Sequence, residues 1–182
     1  MAFTTTVNNK SGGTSDSYNI DWSVGKIGVN RREDVMLVQA LFKIYYYQLL
    51  GFNGGNDPPA GETAVIEVDG IPGPATRRHI VHFQSQMLKR GSNVMLDGNF
   101  DPFRNQGQLS TVSKTRYALE LLNNGCHLHC KEQGVDYYSN LPNRHDMPLL
   151  LRSALQTHKT MADKYRQGWG GSDLAVPETG GY

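Results

Sequence analysis

The stretch V-D-G-I-P-G-P-A-T-R-R-H-I-V-H-F-Q, from Val68 to Gln84, constrains the fold more than any other part of the chain. It reads as a tight turn running straight into a helix. Asp69 can bond the backbone that follows it, Gly70 and Gly73 bring φ freedom, and Pro74 suits the first turn of a helix. Beyond the turn, Thr76, Ile80, Phe83 and Met87 recur at spacings of four, three and four residues, which places them on one helical face. That face has to be buried against another element.

A central helix is predicted to begin at Asn30 and to run to Leu50. Asn30-Arg31-Arg32-Glu33 fits a capping box at its start, and apolar side chains from Val35 to Leu50 cover most of its circumference. Of Tyr45-Tyr46-Tyr47, two rings are expected in the core and only Tyr47 at the surface. A third helix is expected from Leu109 or Ser110 to Asn123, with Val112, Thr115, Leu119 and Leu122 inward and Asn124-Gly125 as its stop. A fourth, capped by Asp146 with Pro148 in its first turn, would bury Leu149, Leu150, Leu151, Leu155 and Met161. Between the first two helices, Gly51 to Gly61 reads as a long loop and Thr63 to Val68 as a brief extended segment with Ala64, Ile66 and Val68 alternating.

These motifs together resemble the peptidoglycan-binding-domain-like family, a three-helix module of bacterial cell-wall proteins. Its pattern is an x-x-L-Q-x-x-L helix, a D-G-x-x-G-x-x-T turn, a helix ending in F-Q and a second D-G. Here those elements read Val38-Gln39-Ala40-Leu41, then Asp69, Gly70, Gly73 and Thr76, then Phe83-Gln84, then Asp97-Gly98. The resemblance spans roughly residues 30–122. It implies a mainly α fold, a three-helix core to which this chain adds a C-terminal helix and flexible termini. Two departures stand out: the loop before Asp69 is longer than usual, and Asp101-Pro102-Phe103-Arg104 replaces the small-residue and Thr pattern that often follows the second Asp-Gly.

Composition sets the outer limits. The chain of 182 residues divides into an arm over 1–19, a helical domain over 20–125, an extension with one packed helix over 126–167 and a tail over 168–182. The arm is rich in Thr, Asn, Ser and Gly and is expected to be flexible, as is the tail. Trp22, in the apolar lead-in from Asn19 to Val29, is expected to be a packing residue. A net charge of +1 supplies no field that would draw nucleic acid or an anionic membrane. No run approaches the about 18 apolar residues of a membrane helix, and the first residues lack the basic and apolar regions of a secretory signal. The expectation is cytoplasmic synthesis, with any delivery to periplasm or cell wall by a signal-independent route.

The chemistry-bearing residues point to binding. Ligand contacts are expected beside the Pro74 to Lys89 helix from Arg77, Arg78, His82 and Tyr47, and from Asn53 and Asp57 of the preceding loop. Arg31 and Arg32 stand at a helix start, where cations are mildly unfavourable, which suits retention for a partner. Cys126, His127, His129 and Cys130 have the ligand types of zinc, but four ligands within five residues would have to converge from one strained turn. Both thiols also follow a predicted helix C-terminus, where the dipole disfavours thiolate. No cofactor is expected. The leading expectation is a non-catalytic module for the glycan or stem peptide of peptidoglycan. The alternatives are an adaptor or cargo protein of a contractile secretion system or phage particle, binding a bacterial protein, and a small zinc-dependent cell-wall hydrolase.

Overall fold

Helix α1 (Arg32–Phe42) is the axis of the molecule, and every residue of it from Asp34 to Phe42 is buried. A computed structural model describes residues 1–8, 14–49, 56–103 and 107–159. The expected capping box does not form. Asn30 instead takes a left-handed φ of 56° and turns its amide onto Gly25 and Gly28, closing the loop that precedes the helix. After Phe42 the helix widens into a π-helical turn, Lys43–Gln48. Tyr45 and Tyr46 fall inside the core, while Tyr47 reaches the boundary.

Helix α2 (Pro74–Lys89) has the limits its spacing predicts, and it packs Thr76, Ile80, Phe83 and Met87 inward. The aromatic centre lies where it meets α1: Phe42 stands 6.3 Å from Phe83 and 5.5 Å from Phe100, centroid to centroid. Residues 63–68 join no strand; Ile66 is buried, Val68 half-buried and Ala64 exposed.

The N-terminal segment is a correction to the expected arm. Strands β1 (Phe3–Asn8) and β2 (Thr14–Asn19) form an antiparallel hairpin, with Phe3 opposite Asn19 and Asn8 opposite Thr14. Threonine suits an extended, half-buried backbone as well as it suits a loop, and here Ala2, Phe3, Val7 and Tyr18 are in the core. A second, two-residue ladder joins β3 (Val24–Gly25) to β4 (Asn99–Phe100). Trp22 does not pack as expected: it is 46% exposed, with the Arg31 guanidinium 5.8 Å above its ring.

Helix α3 (Ala118–Gln133) begins later and runs much further than its sequence suggests. Val112 lies outside it and is exposed, whereas Asn124 and Gly125 sit in its interior. Its stop is Gly134, in the left-handed conformation at φ 67°. The domain boundary expected at residue 125 therefore falls inside a helix. Helix α4 (Leu149–Leu155) starts after Pro148 without a side-chain cap, because Asp146 is engaged by Arg144 and Lys43. It buries Leu151, Ala154 and Leu155, leaving Leu149 and Leu150 exposed. Thr157 and Lys159 then hydrogen-bond the backbone of Thr4, tying the end of α4 to β1. Met161 and the tail over 168–182 lie outside the described residues.

The described fold is mixed and mainly helical, with four α-helices and two small sheets.

Candidate binding surface

Two glutamines each clasp an Asp-Gly turn, and the two clasps have the same design. Gln39, on α1, accepts from the Gly70 N–H at 2.8 Å and donates to Asp69 Oδ1 at 2.8 Å. Its amide also donates to the Ile71 carbonyl and to Thr76 Oγ1, both at 3.1 Å. Gln84, on α2, accepts from the Gly98 N–H and donates to Asp97 Oδ1, both at 2.9 Å, and donates to the Asn99 carbonyl. In each turn the aspartate also accepts from the N–H two residues on. Gly70 and Gly98 have φ of 76° and 73°, a conformation that glycine adopts without a Cβ penalty. Gly73 has an ordinary extended conformation at the head of α2 and needs no such freedom. Asp69, Gly70, Thr76, Gln84, Asp97 and Gly98 thus act together, as structural ties, while Phe83 packs in the core against Phe42.

Of the expected ligand contacts, four serve within the fold. Tyr47 donates to His79 Nε2 at 2.9 Å, while His79 Nδ1 donates to the Ala75 carbonyl at 2.8 Å, which fixes the tautomer. Burial holds His79 below the usual histidine range. His82 donates to the Asp57 carbonyl at 3.0 Å, and Arg78 pairs with Glu62. Together they fasten residues 57–62 along α2. Asn53 lies outside the described residues.

Arg77 is different. It is exposed and makes no side-chain hydrogen bond or ion pair among the described residues. One turn on, Val81 is 43% exposed, and it borders Gly98 together with Lys26. The stem of Arg32 lies against Gly70, and Ile71, one residue on, is 63% exposed. Ile27 projects from the loop held by Asn30 and is 84% exposed. Sequence reasoning singles out Arg31 and Arg32 but passes over Lys26 and Ile27, both exposed on the loop that precedes α1. Its signal was the pair Gly25 and Gly28, which let the chain turn tightly and push Ile27 outward.

The Cys and His cluster is on α3, not beyond a helix end. Cys126 is buried and its thiol donates to the Leu41 carbonyl at 3.4 Å; Cys130 is also buried. His127 faces outward, and His129 meets Glu132 at 3.2 Å. A helix directs these side chains to opposite faces, so the four do not converge. Among the described residues, no three His, Cys, Asp or Glu side chains stand together as metal ligands would. No helix among them is long and apolar enough to cross a membrane.

No family model, curated protein or solved structure matches the chain.

Proposed function

We propose that the chain is a non-catalytic binding module for bacterial peptidoglycan, and that its ligand surface lies between the two Asp-Gly turns. The observation that carries this reading is the paired glutamine clasp, because it involves the residues on which the family resemblance rests. The clasps hold the 26–32 loop and the outer face of α2 side by side. Lys26, Arg32 and Arg77 are exposed there, and cations of this kind suit the carboxylates of stem peptides. Arg77 is the principal contact in this reading; Tyr47, Arg78, His82 and Asp57 support the scaffold behind it.

Incubation with purified sacculi at moderate salt tests the proposal. The chain is expected to sediment with the sacculi, and the Arg32→Ala, Arg77→Ala double variant to remain largely in the supernatant. Equal sedimentation of the chain and an unrelated control protein would sink the idea.

A second reading is favoured by one feature of the same surface. Ile27, Ile71 and Val81 are exposed among the cations, and apolar groups ringed by charge suit a protein partner. An adaptor or cargo protein of a contractile secretion system or phage particle would use them. Co-purification of one stoichiometric protein, lost in an Ile27→Asp, Val81→Asp variant, supports this reading over the first.

A further inference from the structure

Segments near the two ends of the described chain build a cavity, far in sequence from the clasped turns. It has a volume of about 280 Å³ and is walled by β1, β2, α3, the 138–143 segment and the end of α4. Tyr18 and Tyr138 form part of its lining, with ring centroids 4.9 Å apart. Their hydroxyls are engaged elsewhere: Tyr18 donates to the Tyr138 carbonyl at 2.9 Å, and Tyr138 to Asn123 Oδ1 at 2.7 Å. Both rings are buried, at 3% exposure, and back the cavity, while the half-buried Pro142 adds accessible carbon surface to its lining. Asp16, His127, Ser139, Asn143, Gln156 and His158, widely separated in sequence, are among the polar residues of the lining. Neither imidazole makes a hydrogen bond among the described residues, although each offers a donor and an acceptor when neutral.

The lining decides the ligand class. No lysine or arginine is among the described residues that form the cavity, so it holds no fixed positive charge to select an anion. The histidines and Asp16 do not stand together as metal ligands. Carboxylate, amide and imidazole groups around a carbon surface match a molecule that carries a C–H face and a girdle of hydroxyls, each both donor and acceptor. The volume falls just below the usual range of ligand pockets, about 300 Å³ and upward, which limits the guest to one ring. We propose that this cavity binds a single sugar ring. Its walls share no residue with the surface around Arg77, so the site stands or falls independently of the wall-binding reading.

Titration with N-acetylglucosamine, followed by the imidazole C–H resonances of the intact protein, tests the site. Saturable shifts of His127 and His158 are expected, with a Kd in the range of about 1 mM for so small a ligand. His127→Ala and His158→Ala change exposed residues, so the fold is expected to survive, as circular dichroism can verify. Each is expected to weaken binding about fivefold or more. Arg77→Ala is expected to leave this titration unchanged while reducing sacculus sedimentation. Linear, non-saturating shifts, or wild-type affinity in both histidine variants, overturn the proposal. So do equal shifts with glycerol, which has the hydroxyls without the ring.

Discussion

The ring of Tyr45 lies directly against Gly125: a Cβ added to that glycine would come within 2.7 Å of Tyr45 Cε2. Helix α3 can cross the widened end of α1 only because this position has no side chain. Tyr45 cannot retreat easily, since its ring stands edge-on to Tyr46 at 5.0 Å and to Phe83 at 5.5 Å, and its hydroxyl accepts from Arg90.

Gly125→Ala is accordingly expected to destabilise the fold by about 1–3 kcal/mol through overpacking. This runs against the gain of roughly 1 kcal/mol that alanine normally brings in a helix interior. Urea denaturation gives the sign directly. Relief of the penalty in a Gly125→Ala, Tyr45→Leu double variant would identify the ring as its cause.

The glutamine clasps give a second expectation. Gln39 and Gln84 are buried at 2% and 1% exposure, and each satisfies a buried glycine N–H that has no other partner among the described residues. Gln39→Leu and Gln84→Leu leave that donor unpaired, and each is expected to cost about 1–3 kcal/mol. The clasps share no partner, so the two losses should add within about 0.5 kcal/mol in the double variant. A strongly non-additive result from thermal or urea unfolding would mean that the two turns unfold as one unit.

Which features were legible in the sequence follows from how local they are. The turn at Asp69 and the α2 helix were readable because Gly70, Pro74 and the Thr76, Ile80, Phe83, Met87 spacing all act within a few residues. The hairpin was not, since Thr4 and Tyr18 acquire their burial from Leu155, Asn123 and Tyr138, far along the chain. Gly125 was misread for a related reason: a glycine that ends a helix and one that admits a ring look alike until the ring is placed. The candidate surface was half legible. Arg77 could be placed on an outer face from periodicity, but Tyr47, Arg78 and His82 found internal partners that periodicity cannot supply.

Thiol chemistry should be silent in the folded state. Burial pushes both the Cys126 and Cys130 thiols up from their ordinary range. Thiolate is the reactive form, so alkylation by iodoacetamide at about pH 8 is expected to be slow in native protein and complete in denaturant. Rapid labelling of either cysteine without unfolding would contradict the packing of α3 against Leu41.

His79 makes stability depend on pH with a definite sign. Burial is the main cause of its lowered folded-state pKa, so between that value and the unfolded value of about 6.5 the unfolded chain binds more protons. Stability contributed by neutral His79 is therefore complete above about pH 6.5 and is lost as pH falls through that value toward the folded pKa. Protonation would also remove the Nε2 acceptor from the Tyr47 hydroxyl, 2.9 Å away, and place a cation beside Phe42 and Tyr46 in the core. Replacing His79 by Gln is expected to cost stability at pH 7.5 and to flatten the fall in unfolding free energy between about pH 6.5 and 5. The comparison needs urea titrations of both proteins at several pH values, since every other titrating group is common to the two and cancels in the difference. An unchanged slope in His79→Gln would show that the Tyr47 and His79 pair does not set the acid sensitivity of the fold.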